Sequence, residues 1–257
     1  MTKEIMHISE GELIALTTDM EEMHQGTLPA MRAAVAEWRT SRRGFLIGAG
    51  AVVSAGVLAA CSSSGSNSSS SSGGGSSAAA PGQGLSGDLA VAALAAALEN
   101  TAVITYQKGI DAATAGKLGT VPPAVVTFAQ TAQKQHKDHA AAWNSILTSS
   151  GKSAIPDNYG DTTVFTGVVA PAFAKVTDVA GLANLALALE NVAAATYLAG
   201  IAAVTVPAAI KTAATIQPVE MQHAAILNFV LGNYPVPDSF AKTDGARTGS
   251  DQIGVLG

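Results

Sequence analysis

Between residues 88 and 231 the chain alternates long apolar runs with short breaks, and the spacing of its polar positions predicts four helices. The first runs from about Asp88, read as an N-cap, to Ala115, and the second from the Pro122-Pro123 pair to about Ser149, with Gly151 as its stop. A third follows an Asp178 cap and ends near Ala203; a fourth runs from Pro207 to about Leu231, with Pro218 expected to kink it. Breaks within each pair are short, whereas about 27 residues, Gly151 to Thr177, separate the second helix from the third. Two helical hairpins joined by one long crossover are therefore expected, because an up-down-up-down bundle would show three short connections. Residues 232–257 read as a C-terminal tail without regular structure.

The hairpins repeat. "ALENTAVITYQKGI" at 97–110 returns as "ALENVAAATYLAGI" at 188–201, so Glu99 matches Glu190 and Tyr106 matches Tyr197. "TAQKQHKDHAAAWN" from Thr131 aligns with "TIQPVEMQHAAILN" from Thr215, which sets His139 on His223 and His136 on Glu220. Two related hairpins about a pseudo-twofold axis follow from this pattern.

From Val179 to Ile210 the sole charged residue is Glu190, and a membrane span competes for that stretch. Placing a carboxylate and two asparagines in lipid costs several kcal/mol, and alanine is a weak driver of insertion. The centre of a helix bundle, where burial comes from several sides, suits the same pattern better.

Composition adds little to the fold and more to its setting. The 257 residues are 48% hydrophobic and 13% charged, with net charge -5, and no basic stripe points to nucleic acid. A single cysteine, Cys61, excludes an internal disulfide and a multi-cysteine zinc site. It ends an apolar run, Phe45 to Ala60, that Arg42 and Arg43 precede. About 16 residues is short for a spanning helix, which needs ~20, and suits a signal core.

Ser-Arg-Arg-Gly-Phe-Leu resembles a twin-arginine export signal, and Leu58-Ala59-Ala60-Cys61 resembles a bacterial lipobox, which implies lipidation of Cys61 after cleavage. An uncleaved membrane anchor would tether the domain to the same membrane face. The expected partners are thus the membrane, through the lipid on Cys61, and the twin-arginine export machinery, and the expected location is extracytoplasmic. Residues 1–60 form the leader, whose polar, helix-prone first 40 residues include a Glu21-x-x-His24 pair that is set aside from the functional site. Residues 61–87, nearly all Ser, Gly and Ala after the cysteine, read as a disordered linker, and the working domain is 88–231.

After Cys61 the chain holds three glutamates, Glu99, Glu190 and Glu220, and three histidines, His136, His139 and His223, all within the repeat motifs. Surface helices use glutamate freely, so its confinement to apolar stretches indicates a purpose other than solvation. At about 100° per residue, Glu220 and His223 share a face, as do His136 and His139, while Glu99 and Tyr106 are nearly eclipsed two turns apart. Unpartnered burial of each carboxylate costs several kcal/mol, and no lysine or arginine lies in the same stripes. A divalent metal supplies the missing charge, and carboxylate with imidazole suits iron, manganese or zinc.

These motifs resemble the ferritin-like domain, whose di-iron and di-manganese members take Glu from two helices and Glu-x-x-His from the other two. The resemblance implies an all-α fold, a ferritin-like four-helix bundle of two hairpins and a long crossover, behind a signal segment and linker. It implies Glu99, Glu190, Glu220 and His223 as ligands of iron or manganese, with Tyr106 and Tyr197 near the metal as supporting or redox groups. The second helix departs from the family, since His136-x-x-His139 stands where Glu-x-x-His is expected. The alternative register, Gln133-x-x-His136, keeps the spacing with an amide in place of the carboxylate. Both nuclearities, one ion or two, stay open, as does oligomeric state, a homodimer included. Two functions follow: an oxidase, ferroxidase or peroxide-handling protein, or a non-catalytic envelope lipoprotein whose bundle has lost its metal.

Overall fold

The computed structural model describes residue 9, residues 11–19, residue 22, residues 81–250 and residues 252–256. The Arg42-Arg43 signal, the apolar run to Ala60, Cys61, the linker up to residue 80 and the Glu21-x-x-His24 pair lie outside the described residues. Four long helices form the bundle: α1 (Asp88–Thr114), α2 (Pro123–Ser149), α3 (Val179–Ala203) and α4 (Pro207–Val230). α1 packs chiefly on α2 and α3 on α4, and the hairpins meet through α1 against α3 and α2 against α4. By length and composition α1 and α3 could each cross a membrane. Each instead delivers a buried glutamate to the bundle interior, Glu99 from α1 and Glu190 from α3.

The helix starts follow local chemistry with one exception. Asp178 caps α3 by accepting the Gly181 N–H at 2.7 Å, and α2 and α4 open on prolines, whose missing N–H costs nothing in a first turn. Asp88, expected to be the N-cap of α1, lies inside the helix; Gly87, at φ 58°, occupies the cap position. Its carboxylate accepts the Thr205 and Val206 N–H groups at 3.1 and 2.7 Å. Those amides sit in the α3–α4 turn, and the charge on Asp88 ties one hairpin to the other. Pro218 lies within α4, which continues without interruption from Pro207 to Val230.

The crossover is more ordered than its sequence suggested. A short strand β1 (Tyr159–Asp161) leads into a helical segment, Thr162–Phe173, with a wide turn at Phe165–Val169. The tail, read from sequence as irregular, contributes strand β2 (Ile253–Val255), antiparallel to β1 with Gly160 opposite Gly254. Three residues are too few for a strand pattern to stand out. Buried Asp161 fastens the junction, capping the Val164 N–H at 2.9 Å with one oxygen and accepting Arg247 Nε at 2.9 Å with the other. Asn100 Nδ2 donates to the carbonyls of Pro156 and Tyr159, holding the crossover on α1.

Apolar packing forms at both ends of the bundle. One cluster gathers Trp143, Ile146, Leu147, Ile216 and many alanines; the other gathers Tyr106, Phe128, Ala132, Ile226 and Leu227. Alanine on every helix lets the axes approach closely and leaves the polar layer between the clusters enclosed.

β1 lies so close to α1 that residue 160 must be glycine. A Cβ there would meet Leu256 Cδ1 and Thr101 Oγ1 at 2.4 Å and the Ala97 carbonyl at 3.1 Å. Gly160→Ala is expected to cost about 1–3 kcal/mol, read by chemical denaturation. Gly200→Ala, whose Cβ meets only Val91 Cγ1 at 3.6 Å within α3, is expected to be neutral or stabilising by about 0.5–1 kcal/mol.

Candidate metal centre

Each long helix delivers ionisable side chains to one enclosed layer. Glu99 comes from α1, His136 and His139 from α2, Glu190 from α3, and Glu220 and His223 from α4, all 2% exposed or less. The one-turn spacing of His136 with His139, and of Glu220 with His223, sets each pair on the inner face of its helix. The structure brings all six together.

Their oxygen and nitrogen atoms form two groups, each with its atoms within 4.8 Å of one another: Glu99, His136, His139 and Glu220, and His136, Glu190, Glu220 and His223. Glu220 is the carboxylate common to both. Its Oε1 lies 2.9 Å from His139 Nδ1 and its Oε2 3.4 Å from His223 Nδ1. His136 is also common to both, with Nδ1 2.7 Å from Glu99 Oε2 and Nε2 3.2 Å from Glu190 Oε1. An imidazole thus lies between two carboxylates at the place where the repeat sets a glutamate in the other half. The alternative register is not adopted: Gln133 Nε2 turns to the Val103 carbonyl and Gln107 Oε1 on α1.

The tyrosines orient the outer carboxylates and do so across the hairpins. Tyr106 on α1 donates its hydroxyl to Glu190 Oε1 on α3 at 2.5 Å, and Tyr197 on α3 donates to Glu99 Oε1 on α1. Glu99 and Tyr106, read as nearly eclipsed on one helix, do not bond each other; each bonds a residue of α3. Glu99 gives Oε1 to Tyr197 and turns Oε2 toward His136 and His139, whereas Glu190 shares Oε1 between Tyr106 and His136 and turns Oε2 to His223 at 3.2 Å. His223 Nε2 lies 2.7 Å from Gln135 Oε1, which accepts the ring N–H and leaves Nδ1 facing Glu190 and Glu220.

The sequence profile of the ferritin-like domain matches residues 87–233, more than half of the chain. The chain belongs to the ferritin-like domain family. No curated protein and no solved structure matches it significantly. The two buried Glu/His groups of this ferritin-like bundle are consistent with a dimetal site: acidic and imidazole donors converge from four helices, and among the described residues the ion pairs of the three carboxylates are with histidines alone.

Two residues at this ferritin-like centre were not singled out from sequence. Gln135 orients His223, and the repeat had offered a signal, a polar residue where its counterpart is Val219. Trp143 donates Nε1–H to the Tyr197 hydroxyl at 2.8 Å, so it extends the Tyr197–Glu99 chain away from the centre. Its counterpart in the repeat is Leu227, which has no such donor.

Without metal, the three histidines and the carboxylates of Glu99 and Glu190 shift one another's titration. Burial, the strongest influence on Glu99, works to raise its pKa, but His139 and His136 outweigh it and hold the carboxyl at about 2; Glu190, against the same burial, is held well below the usual range by His223 and His136. Burial likewise pulls His139 down, and Glu99 and Glu220 outweigh it to push the imidazole up to about 9; His136 and His223 are raised as well. Burial and then Glu190 raise Tyr106, and burial and then Glu99 raise Tyr197, which keeps both hydroxyls protonated as donors.

A raised histidine stabilises the fold fully below its ordinary value of 6.5, and that contribution is lost as pH rises through about 9. A depressed glutamate stabilises fully above its ordinary 4.5, and that contribution is lost as pH falls toward about 2. The chelator-treated chain is therefore expected to melt highest between these ordinary values and lower on either side, in thermal scans across pH. A melting temperature still rising through pH 9 would contradict this charge balance.

Proposed function

We propose that this chain is an exported, membrane-anchored ferritin-like protein that holds iron or manganese between its four helices and acts on oxygen or peroxide, as an oxidase, a ferroxidase or a peroxide-handling protein. The observation that carries the reading is the pair of donor groups that share Glu220 and His136. Glu99, His136, His139, Glu190, Glu220 and His223 would hold the metal, Glu220 and His136 belonging to both donor groups. When bound, a redox-active ion supplies the electrons for oxygen or peroxide chemistry. The chain's own part is to bind and orient. Tyr106 and Tyr197 fix the outer carboxylates, Gln135 fixes His223, and the apolar clusters above and below exclude water.

Export and anchoring rest on Arg42 and Arg43 before the Phe45–Ala60 run and on the Leu58–Cys61 lipobox. A twin-arginine route suits the centre, because it resembles the path of proteins that fold and load cofactors before translocation. A lipid tether on a long linker is at odds with a closed iron-storing shell. The competing function, a non-catalytic envelope lipoprotein, has one observation in its favour: three imidazoles lie within ion-pair distance of three carboxylates, so the cluster is partnered without an ion.

Protein purified without added metal is expected to carry about one to two ions per chain by elemental analysis and to melt higher with added Fe(II) or Mn(II). A Glu99→Ala, Glu220→Ala double variant is expected to lose both properties. Wild-type protein holding less than about 0.2 ion per chain, with no shift in melting, would decide for the metal-free bundle. In cell fractionation, Cys61→Ser is expected to abolish acyl labelling and to leave the chain at its unprocessed mass; a labelled Cys61→Ser variant would refute the lipid anchor.

A further inference from the structure

The repeat relates the two ends of the bundle, but they are not filled alike. Beside Tyr197 the indole of Trp143 stacks on the phenol ring, centroids 6.1 Å apart. Beside Tyr106 the repeat places Leu227 where the other half has Trp143, and a smaller side chain leaves space there. An apolar pocket occupies that end, lined by Tyr106, Phe128, Ala183, Ala186, Leu227 and Val230. Leu13, from the leader, packs into the same cluster and is 4% exposed, with a cavity of about 50 Å³ left beside it.

The leader helix that carries Leu13 has its own start signal. Ser9 and Glu12 form a capping box, with Ser9 N–H donating to Glu12 Oε2 at 2.8 Å and Glu12 N–H donating to Ser9 Oγ at 3.2 Å. Residues 11–19 are helical, and only Leu13 and Thr17, one turn apart, are buried there. Thr17 satisfies its hydroxyl on the Leu13 carbonyl and asks no polar partner of the pocket. Ile14 and Leu16 are 40% and 44% exposed, so the helix is held by one narrow stripe. A helix encoded locally and docked through two residues can leave without disturbing the bundle.

We propose that the helix of residues 11–19 is a removable plug, which closes the apolar pocket beside Tyr106 in the unprocessed chain. Its removal rests on the proposed lipobox at Cys61: cleavage before that residue would remove the plug with the rest of the leader. The pocket then opens to small neutral apolar molecules, one side chain away from Glu190, since Tyr106 touches both. The proposal does not depend on metal, because the pocket and the Leu13 side chain that fills it are apolar and lie outside the donor groups.

Thiol accessibility tests it in the full chain. A Cys61→Ser background removes the sole native cysteine and keeps the leader attached, and Ala183→Cys or, independently, Val230→Cys then reports on the pocket. N-ethylmaleimide, small and neutral, is the reagent, and a thermal melt of each variant confirms the bundle. Adding Leu13→Glu is expected to speed labelling at both positions about tenfold. Ile14→Glu, which adds the same charge to the exposed side of the same helix, is expected to leave the rates unchanged, as is either charge for a control cysteine at exposed Ala141. Equal rates with Leu13 and Leu13→Glu, or an Ile14→Glu effect as large as that of Leu13→Glu, would overturn the plug.

Discussion

Carboxylates without water must meet positive charge, and in this bundle the charge on Glu99, Glu190 and Glu220 is met by imidazoles rather than by lysine or arginine. Much else in the fold serves that meeting. Four helices are needed because no single helix holds all the partners. Alanine dominates their inner faces because only small side chains let the helices come close enough for atoms of six residues to fall into two groups. Donors of these types take up a metal ion in exchange for protons, and the two buried groups are consistent with such a site.

The rest of the chain acts on this layer at one remove. Asp88 bonds one hairpin to the turn of the other, Asn100 holds the crossover on α1, and Asp161 gathers crossover and tail through Val164 and Arg247. These anchors are polar side chains bonded to backbone or to one charged partner, and they fix position where a core of alanines, smooth and nearly featureless, would let helices slide. Specific polar contacts supply what small-residue packing lacks.

Much of this was legible in the sequence, and unevenly so. The four helices could be read because prolines, Asp178 and Gly151 mark their ends, and Glu99, His136, His139, Glu190, Glu220 and His223 stood out because glutamate and histidine are so rare after Cys61. The repeat also favoured the His136 register over Gln133, as the structure adopts it. What escaped was relational. Tyr106 and Tyr197 were expected near the metal but were not paired with the opposite hairpin's glutamate, because helical periodicity describes one helix and says nothing of its neighbour's rotation. Asp88 was expected to cap its own helix, since the nearest orphan amides in sequence were there; the amides it meets are 117 and 118 residues away. β2 was missed because Ile253-Gly254-Val255 becomes a strand only against β1.

The crossed tyrosines carry a history. Tyr106 reaches the glutamate of the second hairpin and Tyr197 that of the first, so each half completes its own carboxylate with a group from the other. An exchange of this kind is what a two-fold dimer of one ancestral hairpin would possess, each copy lending its phenol to its mate. Duplication and fusion would keep the exchange while freeing the copies to diverge. The divergences fall where such freedom allows: His136 against Glu220, Trp143 against Leu227, and Asn100 bound to the crossover against Asn191 left in solvent. Related by the repeat, the two ends of one bundle are packed with different side chains.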